Sequence, residues 1–149
     1  MRKLLLVMAV LFIGRSAFAQ IESHVRWAYA FKKLNNTEGM VLLRATVDEG
    51  WHIYSLNVKE GGPIKTSFTF APSKDFTLVG KTLEPKPITT FEKNFGMNVG
   101  YFENTVTFQQ RVRLKGKHAT IKGTREYMTC NDHKCLPPDD IDLSVQAAL

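Results

Sequence analysis

The sequence predicts an all-β domain of the β-sandwich class, and three observations support this prediction. Apolar and polar residues alternate with a period of two along the chain after residue 20, as they do in strands with one buried face. No segment keeps a convincing helical period over three turns. Turn-forming residues separate about eight short strands, a spacing that is typical of two packed antiparallel sheets.

The N-terminal half of this domain contains the clearest alternation. The first predicted strand ends at the turn-forming residues 35–39, and it presents three aromatic side chains on one face: Trp27, Tyr29 and Phe31. Residues 41–47 alternate next, and Asp-Glu-Gly at 48–50 turns the chain into residues 51–55. We therefore expect residues 41–55 to form a β-hairpin.

The middle of the chain predicts shorter elements. Residues 67–70 form a short strand with its two phenylalanines on one side, and residues 76–79 form another. Two prolines exclude a regular strand between residues 84 and 88. The following stretch, 91–97, is unusually aromatic for a segment that contains Asn and Gly, and we expect an ordered loop there.

The C-terminal third predicts three further strands around a cysteine-containing loop. One strand runs from Thr105 to Leu114, and Lys-Gly-Lys at 115–117 turns the chain back into residues 119–127. The last strand is expected over residues 141–145.

The first 19 residues have the order of a secretory signal peptide. Arg2 and Lys3 precede the uncharged run 4–13, and Ala-Phe-Ala follows at 17–19. Cleavage is expected after Ala19, leaving residues 20–149 as one exported domain. The apolar run is about half the length of a membrane-spanning helix, so we expect no membrane insertion after cleavage.

Composition excludes several classes of function. The formal charge of +6 includes three basic residues of the leader, and basic residues nowhere cluster with aromatic ones as in a nucleic-acid-binding face. Nucleic acid is therefore not an expected partner. The sequence also contains no evident serine–histidine–acid set, paired carboxylates or glycine-rich phosphate loop, so neither a hydrolase nor a nucleotide-dependent enzyme is indicated.

The chemistry that the sequence does suggest lies at its two cysteines, Cys130 and Cys135. At a hairpin tip their Cα atoms can approach the roughly 5.5–6 Å that a disulfide needs. The six-residue loop would contribute only about 2 kcal/mol to stability, so the disulfide is a weak staple. Three nearby basic groups can activate a thiol for exchange: Arg125, His133 and Lys134. From the residues alone, a reversible disulfide and a purely structural one remain equally open.

Two alternatives belong to other classes of function. In the first, Cys130 and Cys135 bind copper or zinc together with His133 and Met128, although their spacing matches no zinc pattern. The remaining histidines are scattered along the chain: His24, His52 and His118. In the second, the protein is an exported β-sandwich that binds a protein partner and has a structural disulfide.

The motif around the cysteines resembles a known family, the N-terminal periplasmic domain of the thiol:disulfide interchange protein DsbD. The most specific match joins Tyr127-Met128-Thr129-Cys130 to Cys135-Leu136-Pro137-Pro138. Gly50-Trp51-His52-Ile53-Tyr54 is similar to the aromatic-rich strand of that family. Phe95-Gly96, followed by Tyr101, is similar to its cap loop. The resemblance covers nearly all of the chain after the leader, and because the sequence ends at Leu149 we expect a stand-alone version of the domain.

The resemblance implies an immunoglobulin-like sandwich and a redox function without a cofactor. Cys130 and Cys135 would be the redox pair, with Cys135 reaching the partner disulfide and Cys130 resolving the mixed disulfide. The other implied site residues are two that line the pocket and two candidates for a cap over the cysteines: His52, Tyr54, Phe91 and Phe95.

The same resemblance implies the partners and the cellular role. Electrons would come from a membrane-embedded thiol reductant protein and pass to periplasmic disulfide proteins of the thioredoxin fold, in a pathway linked to cytochrome c biogenesis. The sequence departs from the family pattern in two places. The insert between the cysteines has four residues instead of five, and the position of the usual capping phenylalanine aligns with Asn94.

Overall fold

The computed structural model describes residues 22–149 as an all-β domain, and it forms no helix in that range. The expected signal peptide and its cleavage site after Ala19 lie outside the described residues. The eleven strands of the described chain are β1 (Val25–Lys33), β2 (Glu38–Val47), β3 (His52–Tyr54), β4 (Ser67–Phe70), β5 (Phe76–Leu83), β6 (Ile88–Glu92), β7 (Met97–Phe102), β8 (Thr105–Leu114), β9 (His118–Tyr127), β10 (Thr129–Cys130) and β11 (Asp139–Ala148).

These strands form three antiparallel sheets. The first sheet has the order β1-β2-β8-β5, the second β10-β3-β7-β6 and the third β11-β9-β4. The alternating pattern of the sequence explains the main core between them, because every second residue of a strand points to the same face. On β2 the buried residues are Val41, Leu43, Ala45 and Val47. Their partners on β8 and β9 include Val106, Phe108, Val112 and Ile121.

The expected hairpin over residues 41–55 is wrong. β2 pairs with β1 and β8, whereas β3 pairs with β10 and β7 in the second sheet. The turn between them, which contains Gly50 at a φ of 77°, passes the chain from one sheet to the other. Residues 115–117 make a similar crossing, since β8 and β9 also belong to different sheets. Alternation shows which face of a strand is buried, but it does not show which strand lies beside it.

The expected loop over residues 91–97 is wrong in part. β6 and β7 form a hairpin in which Glu92 pairs with Met97, and only the residues between them form the turn. Gly96 has a φ of 64°, a left-handed conformation that glycine adopts without strain. The Asn and Gly that suggested a loop therefore belong to a short hairpin tip. Residues 84–87 form no strand, in agreement with the effect expected of their prolines.

The second sheet positions the cysteines, because β10 is a two-residue strand at its edge. This sheet has apolar side chains on both faces. Ile53 and Phe102 point into the main core, while Tyr54 and Val99 belong to a separate buried cluster. Within residues 22–149, no helix is long and apolar enough to cross a membrane.

Candidate functional site

Cys130 and Cys135 face each other across a tight hairpin that extends from the edge of the second sheet. Cys130 lies opposite His52 in the β10–β3 pair, and it forms an antiparallel bridge with Cys135. Two backbone hydrogen bonds flank this bridge, from Asn131 N to Lys134 O at 2.9 Å and from Leu136 N to Thr129 O at 2.9 Å. The cysteines are disulfide-bonded, with their Cα atoms 4.0 Å apart. This separation is shorter than expected because the two residues occupy a non-hydrogen-bonded pair, where opposite strands approach most closely.

Asn131 shapes the tip of the cysteine hairpin. Its Oδ1 accepts hydrogen bonds from the backbone N of His133 at 2.9 Å and of Lys134 at 2.8 Å. This is the arrangement by which asparagine side chains stabilise tight turns. We did not single out Asn131 from the sequence. The sequence does offer one signal for this role: Asn131 directly follows Cys130 and is the first residue of the short insert between the cysteines.

The two cysteines differ in exposure. Cys130 is 1 % exposed, whereas Cys135 is exposed to solvent. A macromolecular partner can therefore approach the side chain of Cys135, while Cys130 is shielded by its neighbours.

A compact apolar cluster surrounds Cys130 on the outer face of the second sheet. Its buried members are Cys130, Tyr54 and Val99, and the last two are each 2 % exposed. Partly buried side chains complete the cluster: Val58, Met97, Tyr101 and Met128. The cluster therefore shields Cys130 from solvent almost completely.

His52 and Tyr54 lie beside each other at this cluster. Nε2 of His52 is 3.2 Å from the Tyr54 hydroxyl, and the His52 ring also contacts Tyr101, with 5.1 Å between centroids. Burial lowers the pKa of His52, and the nearby Glu92, Glu103 and Asp132 partly oppose that shift.

The phenol of Tyr54 is also shifted. Burial raises the pKa of Tyr54 to about 12, and the negative charge of Glu92 adds to the shift. Burial likewise raises the pKa of Tyr101. Both phenols are therefore neutral at physiological pH, and the lowered pKa of His52 favours its neutral form, so none of the three adds a charge beside the cysteines.

The two cap candidates lie at the tip of the β6–β7 hairpin, and both are exposed. Phe91 is 58 % exposed and Phe95 is 36 % exposed, and neither belongs to the cluster around Cys130. Phe91 pairs with Asn98 in the register, so it points to the face opposite that of Val99. Phe95 lies in the turn and is not confined to either face by strand register.

A second group of side chains holds the other face of the cysteine hairpin. Nζ of Lys134 lies 2.7 Å and 2.8 Å from the two carboxylate oxygens of Glu22, and 5.7 Å from the centroid of the Trp51 ring. His24 stacks on Trp51 at a centroid distance of 3.9 Å, and its Nε2 is 3.0 Å from Glu22 Oε1. Sequence analysis missed this cluster because Glu22 and Lys134 are far apart in the chain, and only Lys134, as a basic group near the cysteines, stood out.

The residues considered as soft metal ligands do not form a single group. His133 lies at the exposed tip of the hairpin, whereas Met128 packs into the cluster around Cys130. Among residues 22–149, no three His, Cys, Asp or Glu side chains converge as a metal-binding group.

Fold and site together define an all-β sandwich domain with a disulfide-bonded cysteine pair at the edge of one sheet. The chain belongs to the family described as "Thiol:disulfide interchange protein DsbD, N-terminal", whose model matches residues 23–147. The resemblance seen in the sequence is thereby confirmed, and membership of this family supports a thiol–disulfide exchange domain. No curated protein sequence matches the chain.

Solved structures show the same fold at low sequence identity. The Neisseria meningitidis DsbD N-terminal domain in the reduced form is 14 % identical with a TM-score of 0.57, over 82 % of this chain and 86 % of that one. The N-terminal periplasmic domain of ScsB from Proteus mirabilis is 18 % identical with a TM-score of 0.60, over 85 % of this chain and 47 % of that one. The present chain thus spans about half of that ScsB domain.

A third match is a complex between the DsbD N-terminal and PilB N-terminal domains of Neisseria meningitidis. It is 13 % identical with a TM-score of 0.54, over 79 % of this chain and 80 % of that one. These likenesses confirm the expected immunoglobulin-like β-sandwich.

Proposed function

We propose that this domain relays reducing equivalents in the periplasm by thiol–disulfide exchange at Cys130 and Cys135. The observation that carries the proposal is the difference in exposure between the two cysteines of one hairpin, in a chain of the DsbD N-terminal family. An exchange pair needs one sulfur that a partner can reach and a second within bonding distance of the first. The exposure of Cys135 and its disulfide bond to Cys130 support this role.

The relay proceeds in two balanced steps. In the reduced domain the Cys135 thiolate attacks a partner disulfide, forming a mixed disulfide and releasing the second partner sulfur as a thiolate. The Cys130 thiolate then attacks Cys135 Sγ, which closes the Cys130–Cys135 disulfide and releases the partner as a dithiol. Two electrons pass to the partner, and a dithiol donor returns the domain to its reduced form by the reverse sequence.

The proposed roles of the surrounding residues follow from their placement. Tyr54 and His52 line the pocket that shields Cys130, and their pKa shifts favour side chains that bring no charge into it. A cap would protect the reduced pair from adventitious oxidation. Phe95 is the better candidate for it, because strand register directs Phe91 to the opposite face of the sheet.

The proposed location and partners rest on the export signal and the comparisons. Cleavage after Ala19 would release residues 20–149 into the periplasm, the compartment named for the related ScsB domain. The complex of a DsbD N-terminal domain with a PilB domain supports a protein partner for this fold. We propose oxidised periplasmic proteins of the thioredoxin fold as acceptors and a membrane-embedded thiol protein as the donor.

A redox titration of residues 20–149 tests the proposal. Free thiols would be counted by alkylation and mass after equilibration in a series of dithiol:disulfide ratios. We expect a midpoint above about −250 mV, in the range of exchange proteins. A midpoint below about −300 mV, where structural disulfides lie, would instead indicate an exported protein-binding module with a stabilising disulfide.

A further inference from the structure

We infer that Glu22 is a positioning residue for the redox pair: by binding Lys134 against Trp51, it holds the cysteine hairpin in the geometry that favours the disulfide. The inference rests on the proposed function, because it concerns the equilibrium between the dithiol and disulfide forms. It assigns a role to a contact between Lys134 of the cysteine hairpin and Glu22, which lies outside the pocket around Cys130.

The contact is specific in its geometry. Lys134 Nζ lies within 2.8 Å of both carboxylate oxygens of Glu22 and 5.7 Å from the Trp51 centroid, a distance at which an ammonium group is attracted to an aromatic ring. Trp51 is 9 % exposed and belongs to the main core, so it is a fixed platform. His24 stacks on Trp51 and lies 3.0 Å from Glu22, which restrains the carboxylate in turn.

The Lys134–Glu22 contact does not cover the face of the hairpin that carries the disulfide. Lys134 Nζ lies over Trp51, a side chain of the main core, whereas Cys130 belongs to the separate cluster on the outer face of the second sheet. Lys134 therefore extends away from the face that carries the disulfide. A partner can approach Cys135 without displacing the Lys134–Glu22 contact.

The Lys134–Glu22 contact and the disulfide should stabilise each other. With the disulfide closed, the hairpin is restrained and Lys134 is already directed toward Glu22. With the disulfide open, the hairpin has more freedom, and forming the same contact loses more conformational entropy. The contact is then stronger in the oxidised form, and by thermodynamic reciprocity it shifts the equilibrium toward that form. Removing it should make the pair more oxidising.

The test is the equilibrium constant of the pair with glutathione, measured on the mature chain. Glu22→Gln removes the ion pair and keeps the size of the side chain. We expect the constant for disulfide formation to fall about two- to fivefold, a rise in midpoint of roughly 10–20 mV. Glu49→Gln is the matched control, since it removes the same charge in the turn before Trp51. Glu49 has no ion pair among residues 22–149.

A double-mutant cycle separates positioning from a general charge effect. In a Lys134→Gln background, Glu22→Gln should change the glutathione constant no more than Glu49→Gln does, because the contact is already absent. Lys134→Arg keeps the ion pair and should retain the wild-type constant. The thermal midpoint of the disulfide form reports whether the substitutions merely destabilise the fold.

The outcomes distinguish a failure of the positioning role of Glu22 from a failure of the proposed exchange function. If the wild-type pair exchanges with glutathione but Glu22→Gln matches Glu49→Gln, the positioning role is wrong and the proposed function stands. An undiminished effect of Glu22→Gln in the Lys134→Gln background would overturn the positioning role as well. If the wild-type disulfide resists exchange altogether, the proposed function fails, and the positioning role fails with it.

Discussion

Tyr54 packs against Cys130 on the outer face of the second sheet, and both side chains are almost fully buried, at 2 % and 1 % exposure. This contact places an aromatic ring on the less accessible of the two cysteines. The more accessible one, Cys135, lies directly opposite Cys130 in the hairpin, at a Cα distance of 4.0 Å. The pair thus consists of one buried and one exposed cysteine, and several measurable consequences follow.

The first prediction concerns the reactivity of each cysteine alone. The thiol left in Cys130→Ala is Cys135, and it should react with an aromatic disulfide reagent at least about tenfold faster than the Cys130 thiol left in Cys135→Ala. The reason is that only the thiolate reacts and burial in apolar surroundings disfavours it. Stopped-flow absorbance would give both second-order rates. In guanidinium the two variants should react alike, and equal rates in the native state would contradict the assignment of Cys135 as the entry point.

The second prediction concerns the cap. Phe95→Ala should speed oxidation of the reduced domain by a small disulfide about two- to tenfold, whereas Phe91→Ala, on the opposite face of the strand, should leave the rate unchanged. Thiol quenching at timed intervals would measure both rates. The double variant Phe91→Ala/Phe95→Ala should behave like Phe95→Ala alone, and an unchanged rate in the double variant would mean that neither phenylalanine protects the pair.

The third prediction concerns acid stability. Burial lowers the pKa of His52, so below about pH 6.5 the unfolded chain binds a proton that the folded domain does not. Above that pH, His52 is neutral in both states and costs the folded domain no stability. As the pH falls from about 6.5 toward the pKa of His52 in the folded domain, the free energy of unfolding should therefore decline. Denaturant unfolding at several pH values between 7 and 5 would measure the decline. His52→Phe should lose less stability over this range than the wild type, and parallel curves would argue against a partly buried, neutral His52.

The fourth prediction concerns packing around Cys130. Tyr54→Ala should lower the free energy of unfolding by about 3–5 kcal/mol, as is usual when a buried aromatic ring is removed. Leu34→Ala should change it by less than about 0.5 kcal/mol, because Leu34 is 43 % exposed. Urea unfolding of the oxidised domain would compare them. A small effect of Tyr54→Ala would contradict the prediction, because it would show that the side chains around Cys130 pack equally well without the Tyr54 ring.

The sequence predicted the sandwich class because each strand carries its own period-two pattern, as β2 does from Val41 to Val47. It did not predict which strands are neighbours. The turn at Gly50 and the turn at 115–117 both move the chain between sheets, and neither crossing leaves a local signature. Pairing depends on contacts between distant segments, which periodicity does not encode.

The site divides in a similar way. Cys130 and Cys135 are recognisable because they are close in sequence and flanked by a specific motif. The Glu22–Lys134 contact joins residues that are 112 positions apart, and neither residue type is unusual at a surface. A single sequence shows what is adjacent along the chain, whereas this contact exists only because β1 begins beside the cysteine hairpin.

The two apolar faces of the second sheet also separate two kinds of constraint on the sequence. Ile53 and Phe102 pack in the main core and are constrained by folding, while Tyr54 and Val99, on the opposite face, pack around Cys130. Side chains of one face therefore contact the main core, and those of the other face contact the buried cysteine. A substitution on the outer face that preserves the packing of Tyr54 can therefore change the surroundings of Cys130 while the main core stays unchanged.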